Sequence, residues 1–217
     1  MAPRWLTAGV GLPLFGAALW AGGPWWTALI LLLIGLGLWE WWALLTARAR
    51  RLGTALPGPL SALFGLVLLL AAWGPLIMLR QGPDGLPWTA LAVGGAWATD
   101  TAAFFVGRRL GGRPLAPRLS PRKTVSGSIG GLIGASLFVG LAAPPWVGIS
   151  APLAFGLGAG VGALAQAGDL LESALKRWAG AKDSGRLLPG HGGVLDRFDS
   201  LTLVAPAMWA VRLLLSR

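Results

Sequence analysis

The chain has no cysteine among its 217 residues, which excludes disulfides, a thiolate nucleophile and any cysteine-ligated metal. It has no tyrosine and a single histidine, His191, so a histidine-rich metal centre is excluded too. Charge is scarce: 12% of residues are charged, where soluble domains carry roughly 25%. Acidic residues are scarcer still. There are eight, and five of them (Asp169, Glu172, Asp183, Asp196 and Asp199) lie between positions 169 and 199. Carboxylates are costly in or beside a bilayer, so their grouping suggests a site.

Long apolar runs make up the rest of the chain, which is 55% hydrophobic. A bilayer core needs about 20 apolar residues per helix. The pattern predicts an all-α, polytopic membrane helical bundle of about seven transmembrane helices, near 5–22, 25–46, 58–79, 86–107, 126–143, 146–168 and 194–215. Gly74-Pro75 interrupts the third run and predicts a kink or two shorter pieces. With no internal repeat, residues 1–217 read as one integral membrane domain. Residues 1–85 hold the N-terminal helices, and 86–217 hold the catalytic helices and loops. The first run, with Arg4 before it and a poor cleavage site at Ala21-Gly22-Gly23, reads as a retained spanning helix rather than a leader.

The formal charge of +10 does not point to nucleic acid, because the basic residues sit in short gaps between apolar runs. Arg48, Arg50 and Arg51 follow the second run, Arg108 to Lys123 the fourth, and Lys176 to Arg186 the sixth. The alternate gaps hold only Arg80. This alternation predicts a cytoplasmic N-terminus, cytoplasmic basic loops and an outward C-terminus. The thirteen tryptophans, often near run ends, suggest an interfacial belt.

Gln166, Asp169, Glu172, Ser173 and Lys176 follow one another at helical spacing and share one face. Asp169 and Ser173 can offer oxygens to one hard cation, and Lys176 can reach a phosphate. The competing reading is a helix emerging into water with an ordinary polar surface. Asp196 and Asp199 stand three apart at the start of the last run. They read either as N-terminal caps or as an oxygen-rich seat for Mg²⁺. His191, in Gly190-His191-Gly192-Gly193, is either a phosphate contact or a turn residue. Asp100 lies about two turns inside the fourth run, where an intramembrane acid points to function or to a buried pair. Ser120-Pro121-Arg122-Lys123-Thr124 is a basic loop suited to phosphate. The glycines at 127, 130, 131 and 134 read as helix-packing positions rather than a nucleotide loop.

Together, Asp100 with its surroundings, the 120–127 segment and the run from Ser173 through Lys176-Arg177, Lys182-Asp183, Pro189, His191-Gly192-Gly193 and Asp196-Arg197-Phe198-Asp199 resemble the phosphatidate cytidylyltransferase family. The resemblance covers roughly residues 95–205. Phe104 stands where that family usually has Tyr, Ser126 where Glu is expected, and Arg122 where Lys is usual. It implies a nucleotidyltransferase of phospholipid biosynthesis that moves CMP from CTP to phosphatidate, with Mg²⁺ and room for a second cation. The implied setting is the inner membrane with the active site on the cytoplasmic side. Asp169, Asp196, Asp199 and Ser173 would serve the metal, with Lys176 beside them. Arg122, Lys123, Thr124, Arg177, Lys182, His191, Arg197 and Asp100 would serve the substrates. The expected partners are CTP, phosphatidate and membrane lipid, without nucleic acid, and the chain is compatible with a homodimer. A CTP-dependent lipid kinase and a lipid or ion transporter are the competing functions.

Overall fold

The computed structural model describes residues 4–185, 187 and 192–215, the first five of these as backbone only. Its elements run α1 (Arg4–Ala21), α2 (Gly23–Leu52), α3 (Pro59–Trp73), α4 (Pro75–Arg80), α5 (Gly85–Leu110), β1 (Pro114–Ala116), β2 (Ser120–Thr124), α6 (Val125–Val147), α7 (Ala151–Ala179), α8 (Leu195–Phe198) and α9 (Leu201–Leu215). Five segments are long and apolar enough to cross a bilayer: α2, Pro59–Arg80, α5, α6 and α7. Gly9–Ala21 and Leu201–Leu215 are shorter apolar helices. The chain is a multi-pass helical membrane protein.

The third run divides into α3 and α4 at Gly74-Pro75, where sequence placed the interruption. Other runs depart from expectation: the second, expected to end at 46, continues as α2 to Leu52 and carries Arg48, Arg50 and Arg51 on helix. The sixth, expected to end at 168, continues as α7 to Ala179. It ends only at Gly180, whose left-handed φ of 73° lets its N–H bond back to the carbonyls of Arg177 and Lys176. The last run, expected as one helix from 194, breaks between α8 and α9. There the Asp199 carboxylate accepts the backbone N–H of Ser200 at 2.6 Å, a local bond that competes with helix. The basic gap after α5 is also not plain loop. Its β1 and β2 pair antiparallel, with Pro114 opposite Thr124 and Ala116 opposite Ser120.

Small residues set the closest helix contact, between α5 and α6. A Cβ on Gly130 would stand 2.6 Å from Val106, and one on Gly134 would stand 2.5 Å from Ala102. The glycines at 127, 130, 131 and 134 therefore let two backbones approach, the packing role expected of them.

Side chains that bridge helix ends show which ends lie together. Arg48 on α2 donates to the Trp178 carbonyl on α7 at 2.5 Å, with its guanidinium 4.0 Å from the Trp178 ring centre. Lys123 on β2 pairs with Asp169 on α7. The three basic gaps thus share one end of the bundle, as the alternation of charge requires. At the opposite end Arg80 bonds the carbonyls of Leu19 and Trp20, and Arg212 those of Met78, Leu79 and Gln81.

The tryptophans divide between two roles. Trp20, Trp25 and Trp39 are exposed, as a belt requires, but Trp26 and Trp73 are core residues only 1% exposed. Their indole N–H groups are satisfied inside, by the Leu76 carbonyl at 2.8 Å and by Thr202 Oγ at 3.3 Å.

Candidate active site

A cavity of about 710 Å³ opens at the end of the bundle where the basic gaps meet. Lys123, Asp169, Asp196, Arg197 and Asp199 are among its charged walls, and Trp97 and Phe104 of α5 form an apolar flank. Phe104 is 57% exposed, so this flank opens along the outer face of α5.

The α7 face predicted from spacing is real, because all five residues lie on that helix. Gln166 ties α7 to α6, bonding Ser128 through its side-chain hydroxyl and, at 3.1 Å, through its backbone carbonyl. Gly168 is where α7 meets the α8–α9 turn: a Cβ there would stand 2.5 Å from the Asp199 carbonyl oxygen. This close approach brings Asp199 beside Asp169. Burial, then the Asp169 charge, pushes the Asp199 carboxyl above the usual carboxylate range. Ser200 Oγ lies 3.1 Å from both Asp199 and Asp100, so the α5 aspartate joins the same group.

Lys176 sits deeper, with only 11% of its side chain exposed. Its ammonium donates to Asp196 at 2.6 Å and to Glu172 at 3.1 Å. The other Asp196 oxygen accepts from Gly193 N at 2.8 Å and from Ser184 N and Oγ, each at 3.0 Å. Burial raises the Asp196 carboxyl, but these bonds, that from Lys176 foremost, outweigh it and hold the group below its ordinary value. Both oxygens of Asp196 are therefore engaged with protein donors.

The other expected substrate contacts divide. Arg122, Lys123, Thr124, Arg197 and Asp100 line the cavity. Thr124 also caps α6, accepting the Gly127 N–H at 3.1 Å. Arg177 turns away to the Ala181 carbonyl at 2.8 Å, and Lys182 is exposed on the following loop. Neither lines the cavity. His191 lies outside the described residues. Ser126, at the position where Glu was expected, bonds the Gly111 carbonyl and the Thr124 hydroxyl beneath the hairpin.

The donor set suits a hard cation. Glu172 Oε1 is buried and has no hydrogen-bond partner among the described residues. The ammonium of Lys123 lies against Asp169, a cation already drawn to this point. Among the described residues no three acidic side chains form a ready-made cage. Mg²⁺ does not need one, since it typically takes one or two carboxylates together with substrate phosphates.

Sequence reasoning missed Glu40 on α2, whose side chain reaches Ser184, Val194 and Leu195 behind the cavity. The available signal was an acid within an apolar run. Arg48 and Arg51, read only as loop charge, both reach the Trp178 carbonyl, at 2.5 and 3.4 Å.

A model of the cytidylyltransferase family matches residues 60–215. The phosphatidate cytidylyltransferase of Brucella suis biovar 1 (strain 1330) is 52% identical over 117 residues, which cover 52% of this chain and 42% of that protein. That of Staphylococcus aureus (strain COL) is 45% identical over 127 residues, covering 58% of this chain and 48% of that protein. That of Pseudomonas aeruginosa (strain PAO1) is 41% identical over 206 residues, covering 91% of this chain and 69% of that protein. The chain spans less than half the length of the Brucella and Staphylococcus relatives it matches. With a family match over residues 60–215 and similarity to the Pseudomonas protein along 91% of its length, the chain belongs to the cytidylyltransferase family.

Proposed function

We propose that the chain transfers CMP from CTP to phosphatidate on the cytoplasmic side of the inner membrane, giving CDP-diacylglycerol and pyrophosphate. The observation that carries this reading is one cavity with a charged wall and an apolar flank open along α5. A water-soluble triphosphate suits the first and a lipid the second. The names of the similar proteins favour the same substrates.

Phosphatidate already carries an anionic phosphate oxygen, so no serine or cysteine nucleophile is needed. That oxygen attacks the α-phosphorus of CTP, a new P–O bond forms, and the bond to the β-phosphate bridging oxygen breaks as pyrophosphate leaves. The protein's task is to bring two polyanions together and stabilise the charge that develops. Lys123, Arg122 and Arg197 line the cavity wall, where they would compensate phosphate charge. Lys176 is held behind them between Asp196 and Glu172. Asp169, Asp199 and Ser173 would hold Mg²⁺, with room for a second cation beside Glu172. When bound, Mg²⁺ neutralises triphosphate charge and aligns the leaving pyrophosphate. Asp196, whose oxygens are engaged, orients Lys176 in this arrangement.

The test supplies purified protein with phosphatidate, Mg²⁺ and CTP labelled at the α- or the γ-phosphorus. We expect α label in the lipid and γ label in released pyrophosphate. A γ label entering a lipid alcohol would establish a kinase instead. Unlabelled lipid across phosphatidates of several chain lengths would overturn the enzyme reading and leave transport.

A further inference from the structure

Glu40 is 2% exposed and lies in the long second helix, before the segment matched to the family. Its side chain bonds Ser184, Val194 and Leu195. One oxygen accepts Val194 N–H at 2.8 Å. The other accepts Leu195 N–H at 2.9 Å and the Ser184 hydroxyl at 2.9 Å. The socket is tight: a Cβ on Gly193 would stand 2.4 Å from one Glu40 oxygen and 2.5 Å from the other, and one on Gly185 would stand 2.8 Å away. A carboxyl group that accepts three donors in a buried place is a strong anchor.

The anchor leads to the site. Ser184 Oγ also lies 3.0 Å from Asp196, and Ser184 N and Gly193 N donate to the same Asp196 oxygen. The other Asp196 oxygen holds the Lys176 ammonium at 2.6 Å. Ser184 has one hydroxyl proton and two carboxylates within reach, so it serves either Glu40 or Asp196 at a given moment. We infer that Glu40 is a positioning residue: through Ser184 and the backbone of residues 193–195 it fixes Asp196, and through Asp196 it fixes Lys176 for the phosphates. Glu40 does not line the cavity, and its partners Ser184, Val194 and Leu195 stand between it and Asp196.

The inference rests on the reaction proposed above for its activity arm, and a second arm is independent of that reaction. Glu40→Gln keeps size and one acceptor oxygen but turns an NH₂ group toward donors it cannot accept. In full-length protein, E40Q should lower kcat about tenfold or more, with KM for CTP and phosphatidate little changed, because misplacement by a fraction of an ångström costs rate rather than binding. Hydrogen exchange across residues 193–196 should quicken, with α5 and α6 unchanged. Ser184→Ala should lower kcat by a smaller factor, and the double variant should be no slower than E40Q, since both act along one path. If E40Q does not accumulate as folded protein, S184A alone decides: an unchanged kcat overturns the path. Multiplying losses in the double variant, or a rise in KM alone, would also overturn it. A wild-type protein that labels no lipid would sink the proposed reaction, while the exchange arm would still judge Glu40.

Discussion

The two ends of the bundle use basic residues in opposite ways. At the end away from the cavity, Arg80 and Arg212 spend their guanidinium groups on backbone carbonyls at the ends of α1 and α4. Among the described residues no carboxylate forms an ion pair with either of them. The last carbonyls of a helix lack intrahelical partners, so each arginine satisfies a structural debt. At the cavity end, Lys123 faces Asp169, and Lys176 lies between Asp196 and Glu172. Here cations and anions are both concentrated and only partly exposed, the condition in which charge acts on a ligand rather than on water. The lesson is that partner type, not charge alone, separates a scaffold arginine from a working one.

The sharpest break of this contrast removes charge from the carboxylates. Asp169→Asn and Asp199→Asn should each lower the proposed cytidylyl transfer about a thousandfold, on the scale of losing a principal electrostatic group at a reacting centre. Expression and detergent stability should stay near wild type, because Asn retains shape and an acceptor. Rates near wild type in both variants at saturating Mg²⁺ would assign these aspartates to helix and turn structure, like the arginines at the other end.

Lys176 tests the same contrast one step down. Lys176→Ala should cost activity about a hundredfold, since in the proposed reaction this held cation supports the phosphates. The comparison variant is Arg51→Ala. Arg51 stands at the cavity end by position, but its contact is the Trp178 carbonyl, so by chemistry it belongs with Arg80 and Arg212. Its removal should leave kcat within about twofold and lower thermal stability slightly, the value of one exposed hydrogen bond. Equal, mild losses of kcat in the two variants would mean that the α7 face is solvated surface.

Much of this was legible beforehand because membrane burial leaves strong marks. Apolar length gave the helices, alternating charge gave their relative direction, and helical spacing put Asp169, Ser173 and Lys176 on one face. What spacing could not convey was partner choice. Asp196 and Asp199, three residues apart, resemble one pair, yet the chain breaks at Asp199-Ser200 and sends them to different tasks. Asp196 serves Lys176, while Asp199 lies with Asp169 and Asp100. Glu40 was hidden for a related reason: its partners lie 144 to 155 positions away. The hairpin at Pro114–Thr124 escaped notice because short strands rich in proline and basic residues carry no alternating apolar signal.

The smallest expected effect belongs to the far end. Arg212 donates to the carbonyls of Leu79 at 2.6 Å and Gln81 at 2.7 Å, joining the end of α9 to the end of α4. Arg212→Ala removes this bridge without touching the cavity. Specific activity of the folded protein should therefore be unchanged, and the loss should appear as stability, about 1 kcal/mol for each bond that water does not replace. Arg212→Lys should recover only part of it, since one ammonium does not match a planar fork set between two carbonyls. The measurement is thermal unfolding in detergent alongside initial rates on the surviving protein. A fall in kcat with unchanged unfolding would mean that the far end speaks to the site through α9, and the division between scaffold and working cations would fail there.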